Sequence, residues 1–407
     1  MASLKYIYTI YIILSFIISI CLSVSIEHKQ TKFFGPTPTP VNRNLQFNSE
    51  GKFKIVQFTD LHYGESDKQD ASSYNSQTGV LNAETDAGLV VMTGDSVSGY
   101  AWNGTEGWFA QKWLHLVSPM IQHNIRWAFT CGNHDDEGDL DRTQIVELDN
   151  TFNLSLTQQG PSDIQGATNY YLPITDSNGD VQTILYFFDS GDDNCQGVVG
   201  WGCVYPDQVE WYRTVSTSLR EKYGRVVPAI AFMHIPIPEY MDMWNFYTVN
   251  GSLYDTGVCC FSVNTGLFAA FKEMGDVVSM HCGHDHDNDF IGNYNGVQLG
   301  YGRKSGYGGY GPPAGWKHGA RVLEITANPF SINTYLRFED GTTEIIPAVH
   351  PPQVKEQYNT CCDTYGFVNI TGNNYSNCKT YEENFLANNP KLYEINLNHH
   401  KKLKNKY

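Results

Sequence analysis

Five apolar runs in this chain each end on a short polar motif built from side chains that bind metals. Residues 53–59 lead into Asp60-Leu61-His62, residues 88–93 into Gly94-Asp95, residues 126–131 into Gly132-Asn133-His134-Asp135, and residues 226–233 into His234. The fifth run, residues 276–280, precedes Gly283-His284-Asp285-His286. Short apolar runs bounded by turn residues read as buried strands, and alternate spacing puts His284 and His286 on the same side of an extended backbone. Ligands on loops at the C-terminal ends of strands are the usual way α/β proteins build a site.

Helical patterns separate these runs. Residues 105–122 have helical spacing, with Trp108, Trp113, Leu116 and Met120 forming a core-facing stripe. Residues 140–152 read as a second helix, 183–189 as a strand, and 206–223 as a helix opened by Pro206 and Asp207. Residues 321–338 carry two strands broken near Asn328-Pro329. This alternation predicts a layered α/β fold. Residues 63–79 read as a polar loop near the metals.

The ends of the chain have a different character. Residues 1–25 place Lys5 before an apolar stretch at 6–22 and small residues at Ser23 and Ser25, the pattern of a secretory signal peptide; uncleaved, the same stretch would serve as an anchor. Asn-x-Ser/Thr sequons at Asn103, Asn153, Asn250, Asn369 and Asn374 fit a lumenal or extracellular chain. Residues 26–51 read as an extended lead-in, 52–346 as the folded domain, and 347–407 as a cysteine-containing extension that finishes in a basic tail. A net charge of −16 over 407 residues argues against a nucleic-acid groove.

Ten cysteines fall to nine when Cys21 leaves with the signal, so at least one is unpaired. Cys131 and Cys282 read as buried thiols at strand ends. Cys195 with Cys203, and Cys361 or Cys362 with Cys378, are the disulfide candidates; Cys259 and Cys260 have no partner that the sequence identifies.

In the order Asp-x-His, Gly-Asp, Gly-Asn-His-Asp, His, Gly-His-x-His, the motifs resemble those of the calcineurin-like metallophosphoesterase superfamily over about residues 52–337. Phe232-Met-His-Ile-Pro236 and Gly283-His-Asp-His-Asp-Asn-Asp-Phe290 look most like its purple-acid-phosphatase-related single-domain members, in an Asp-x-His variant. The resemblance implies a four-layer α-β-β-α sandwich of two mixed sheets flanked by helices. It also implies two metal ions, of zinc, manganese or iron. Asp60, His62 and His286 would hold the first ion, Asn133, His234 and His284 the second, and Asp95 would bridge them. His134 would be the proton donor to the leaving group.

The chain departs from the purple enzymes of that family at two positions. Their Asp-x-Gly and their iron-binding tyrosine fall here on His62 and Ser98, with Tyr100 displaced, which disfavours a coloured iron–tyrosinate site and favours a divalent ion. The family's protein Ser/Thr phosphatases have a further Asp and a phosphate-gripping Arg after Gly-Asp, where this chain reads Gly94-Asp-Ser-Val-Ser-Gly99. Without that Asp, His134 needs another orienting partner, and Asp136 and Glu137 are the candidates.

The implied activity is hydrolysis of small phosphate monoesters by a hydroxide held at a dinuclear metal centre, in a secreted or endolysosomal compartment. Alternatives are a phosphodiesterase acting on nucleotide or lipid esters, and a catalytically silent glycoprotein of the same fold. A repair-type nuclease shares two motifs but is opposed by the signal, the sequons and the acidic charge. No membrane partner is expected once the signal is cleaved. The glycine-rich segment 300–315 does not open a helix in a βαβ unit, so it is no nucleotide fingerprint. It reads instead either as a mobile loop closing over substrate, with Arg303 or Lys304 on the phosphate, or as a glycine-rich surface turn.

Overall fold

The computed structural model describes residues 44–255, 257–345 and 348–362. In chain order the strands and helices are β1 (Leu45–Gln46), β2 (Lys52–Thr59), α1 (Asp67–Ala83), β3 (Leu89–Thr93), α2 (Trp108–Gln122), β4 (Trp127–Thr130), α3 (Arg142–Asp149), β5 (Tyr170–Thr175), β6 (Val181–Phe187), β7 (Asp193–Cys195), β8 (Val198–Trp201), α4 (Pro206–Tyr223) and β9 (Ala229–Phe232). They continue through α5 (Glu239–Phe246), β10 (Val249–Asn250), α6 (Leu267–Met274), β11 (Val277–Cys282), β12 (Ile291–Tyr294), β13 (Val297–Tyr301), β14 (Arg303–Lys304), β15 (Gly319–Thr326), β16 (Ser331–Phe338), β17 (Thr343–Glu344) and β18 (Val349–His350).

Two mixed sheets result. One runs β1-β5-β6-β9-β11-β13-β12-β10-β18; the other runs β17-β16-β15-β2-β3-β4, with β14 also paired to β2. Successive side chains on a strand point to opposite faces, and that alternation divides the core. Ile55, Leu89 and Val91 face Leu185, Phe187, Ile230 and Phe232 between the sheets. Val56, Phe58, Val90 and Met92 point the other way, onto Val80, Leu81, Trp113 and Leu116 of α1 and α2. Ile184, Tyr186, Ala229 and Ala231 pack outward on Val209 and Tyr212 of α4 and on Phe268 and Phe271 of α6. The layers are therefore α-β-β-α, as the resemblance implies.

The stripe Trp108, Trp113, Leu116 and Met120 is buried as its spacing requires. Residues 63–79 depart from expectation, because the loop ends at Ser66, whose side chain caps α1 by accepting from Gln69 N. The inward face of α1 is formed partly by Ser73, Ser76 and Gln77, so the helix has almost no apolar stripe to read. The nine-stranded sheet reaches past the 52–346 limits, through β1 on one side and β18 on the other.

Cys195–Cys203 forms as expected. The expected link to Cys378 is corrected: Cys362 pairs with Cys259 and Cys361 with Cys260, two adjacent bridges about a hundred residues apart in sequence. Cys378, the signal region and the basic tail lie outside the described residues. Cys131 and Cys282 are buried free thiols. Among the described residues no helix is long and apolar enough to cross a membrane.

Trp113 joins these layers most directly. Its ring meets Phe129 of β4 edge-on at 4.9 Å and its indole N–H donates to Asp149 at 3.0 Å. Trp113→Ala is expected to cost about 3–5 kcal/mol in urea unfolding, and a loss under about 1 kcal/mol would contradict this packing account.

Candidate metal centre

The strands that end in polar motifs finish side by side. β2, β3 and β4 run parallel in one sheet, β9 and β11 run parallel in the other, and their C-terminal ends meet across the sheet interface. The Gln57 amide crosses it to Cys282 O at 3.0 Å, and the His234 ring crosses it to Thr93 O at 2.7 Å. Backbone strain collects at the same place. Asp60, His62, Asp95 and His284 have φ of 53°, 50°, 48° and 78°, in the left-handed region that side chains seldom occupy. Close approach also requires small residues here: a Cβ on Gly132 would lie 2.2 Å from Asp95 N, and one on Gly283 1.9 Å from Thr59 Oγ1.

Asp60, His62, Asp95 and His286 form one buried group whose donor atoms all lie within 4.8 Å of one another, and Asp95, His234 and His284 form a second. Asn133 belongs with the second group, its Oδ1 lying 3.0 Å from His234 Nε2 and 2.9 Å from His284 Nδ1. Asp95 belongs to both, since its Oδ2 is 3.1 Å from His234 Nε2 and 3.6 Å from His62 Nε2. Its Oδ1 accepts the backbone N–H of His134 at 2.9 Å.

Proton positions follow from the outer partners of the rings. The Nδ1 of His286 lies 2.8 Å from Tyr310 O and that of His234 lies on Thr93 O, both carbonyls, so both nitrogens carry the proton and both Nε2 atoms present lone pairs. His62 Nε2 nevertheless sits 3.0 Å from His286 Nε2, while His234 Nε2 faces two oxygens. Electron-rich atoms turned on one another at these distances repel unless a cation sits among them, and nitrogen–carboxylate sets of this kind suit zinc, manganese or iron. Burial opposes charge on His234, yet Asp95 and Asp60 hold its imidazole up at about 9, so its Nε2 position attracts a positive charge, which a proton supplies until a cation displaces it. The residues present therefore fit metal ions.

His134 lies outside both groups, half-buried, with its Nδ1 2.7 Å from Glu137 Oε2. Glu137, not Asp136, is its partner; Asp136 pairs with Arg142 instead. Asp135 is a structural tie, since its carboxylate accepts from Ser96 N, Val97 N and Gly132 N at 2.7–2.9 Å and joins two ligand loops.

With this geometry in place, the family model for calcineurin-like phosphoesterases matches residues 53–288. The chain belongs to that family. It is 33% identical over 317 residues to a protein of Arabidopsis thaliana named probable inactive purple acid phosphatase 28, covering 70% of this chain and 77% of that one. It is 34% identical over 352 residues to phosphatase DCR2 of Saccharomyces cerevisiae, covering 77% of this chain and 58% of that one. Among solved structures, a dimetal phosphatase from Danio rerio superposes with a TM-score of 0.49 at 14% identity, over 73% of this chain and 99% of that one.

The mobile-loop expectation is corrected. Arg303 is buried in β14, where it pairs with Asp289 at 2.5 Å and lies over the Trp316 ring at 3.4 Å. Lys304 Nζ is buried against Asp60 O at 2.9 Å and Gly308 O at 2.7 Å. Both side chains are committed to partners within the fold. The glycine-rich segment is a packed strap: Gly309, at φ +69°, passes where a Cβ would lie 2.7 Å from the His286 ring, and Tyr310 stacks on that ring at 4.0 Å. Of the sequons, Asn103 and Asn153 are exposed, Asn250 is half-buried in β10, and Asn369 and Asn374 lie outside the described residues. Sequence reading missed Glu65, Thr93 and Tyr310, the partners behind the ligands, because none of them sits in a motif.

The strap generates a test. Gly309→Ala adds a methyl against His286 at a left-handed φ, so calorimetric zinc affinity should fall at least about tenfold, and unchanged affinity would show that the strap does not hold the ligands.

Proposed function

We propose that this chain is a metal-dependent phosphoesterase that hydrolyses small phosphate monoesters in a secreted or endolysosomal compartment. One observation carries the reading: two buried sets of ligating atoms converge on the single oxygen Asp95 Oδ2. In this reading Asp60, His62 and His286 hold one cation, Asn133, His234 and His284 hold a second, and Asp95 is shared. Two such cations, of zinc, manganese or iron, supply the Lewis acidity that neutralises phosphoryl oxygens and makes hydroxide available near neutral pH.

The protein's own part is to place and protonate. Ligands on strand ends of two sheets are held by the cores behind them, which fixes where a phosphoryl group can sit. His134, with Nδ1 given to Glu137, transfers a proton to the departing oxygen through Nε2. Exposed Asn103 and Asn153 and three disulfides support an oxidising, glycosylating compartment.

Two observations favour other readings. Arg303 and Lys304 are committed elsewhere, which suits the single charge of a phosphodiester. The Arabidopsis relative's name, probable inactive, supports a silent binding protein. A complete ligand set supports the enzyme.

Purified secreted protein, loaded with Zn²⁺, Mn²⁺ or Fe²⁺, is expected to turn over p-nitrophenyl phosphate faster than its bis ester, and Asp95→Asn to abolish both. Preference for the bis ester would make it a diesterase, and no turnover would favour the silent reading. A second expectation isolates His134: His134→Ala should slow an alkyl phosphate by about 10² to 10⁴ and p-nitrophenyl phosphate far less, because nitrophenolate leaves without a proton. Equal losses on the two substrates would rule out proton donation by His134.

A further inference from the structure

Glu65 stands between the first strand-end motif and α1, half-buried, and gathers donors from three directions. Its Oε1 accepts from the Tyr100 hydroxyl at 2.5 Å, from Gly309 N at 2.7 Å and from the Ser98 hydroxyl at 3.0 Å. Its Oε2 accepts from the Gln69 amide at 3.1 Å. Three of these partners lead toward the metal centre. Ser98 Oγ lies 2.8 Å from His62 Nδ1, Gly309 belongs to the strap over the His62 and His286 rings, and the Tyr100 ring meets His134 edge-on at 4.8 Å.

The serine has one proton to give. A carboxylate only accepts, so that proton goes to Glu65, and Ser98 Oγ can serve His62 only as an acceptor. His62 Nδ1 must then carry the ring's proton, which leaves the Nε2 lone pair turned toward Asp95 and His286. Remove the carboxylate and the hydroxyl is free to turn and donate to Nδ1. That stabilises the opposite tautomer and puts a proton on Nε2, where a cation would bind.

We propose that Glu65 is a positioning residue that fixes the metal-binding tautomer of His62 through Ser98 and pins the glycine strap through Gly309. The proposal rests on reading His62 as a metal ligand. It also accounts for Tyr100: its phenol is committed to Glu65 and so is not spent on a metal. Partners behind a ligating histidine orient the ring and raise its basicity, and their loss commonly weakens metal binding by about 10- to 100-fold.

The test is zinc titration calorimetry on metal-stripped full-length protein, read independently of turnover. Glu65→Ala should weaken one of two sites by about 10- to 100-fold and leave the other nearly unchanged. Glu65→Gln, which keeps an oxygen acceptor, should restore most of that affinity. Ser98→Ala should reproduce the relay's share of the loss, and the Glu65→Ala, Ser98→Ala double variant should be little worse than Glu65→Ala alone, because both break the same relay.

Parent-like affinity in Glu65→Ala, or additive losses in the double variant, would overturn the relay. Should Glu65→Ala fail to fold, Ser98→Ala and Glu65→Gln decide alone: parent-like affinity in the first, or deep loss in the second, overturns it. A parent protein that binds no zinc overturns the ligand reading and the relay together, whereas normal zinc binding without turnover touches only the proposed enzymatic function.

Discussion

Asp95 is a fully buried carboxylate with one oxygen on the backbone of His134 and the other between His62 and His234, and the whole site is arranged around that placement. A charge in this position would be very costly if left alone. Burial pushes its acidity one way, and His234, His134 and His62 overcome that and hold the carboxyl well below the usual range, so it stays ionised. His234, His286 and His62 turn Nδ1 outward to two carbonyls and a hydroxyl, so their Nε2 atoms face inward. The left-handed backbone at Asp60, His62, Asp95 and His284 is the conformational cost of bringing these atoms together.

That cost is carried by layers behind the ligands. Lys304 is buried under Asp60, where burial drops its ammonium to about 8, and it ties the first ligand loop to the strap. The loop between His284 and His286 is held through Asp285, which accepts from Tyr301 OH at 2.6 Å and from Cys259 N. Cys259 and Cys260 are in turn bridged to Cys362 and Cys361, so the C-terminal segment braces the loop that carries His284 and His286. Residues outside the ligand set thereby decide how the ligands are aimed.

The strand ends and the side chains that converge on them were legible because burial and chemistry write the same signal: an apolar run, then a short polar motif of Asp, Asn or His. Two sheets and their helices followed from the same periodicities. What escaped has physical reasons. The inward face of α1 is formed partly by Ser73, Ser76 and Gln77, so no apolar period announces it. Arg303 was expected on a phosphate because a glycine-rich stretch with a cation resembles an anion loop; in the fold its charge goes to Asp289 and its face to Trp316. The pairing of Cys259 and Cys260 depends on a contact between segments about a hundred residues apart, which spacing cannot reveal. Glu65 and Tyr310 act through atoms contributed by distant loops, and no motif marks them.

The proposed function requires two cations, one on either side of Asp95. Anomalous diffraction from crystals of the zinc-loaded protein, collected above and below the zinc edge, would locate them. Two peaks are expected, one among Asp60, His62 and His286 and one among Asn133, His234 and His284, with Asp95 contacting both. A single peak, peaks at other residues, or none would contradict it.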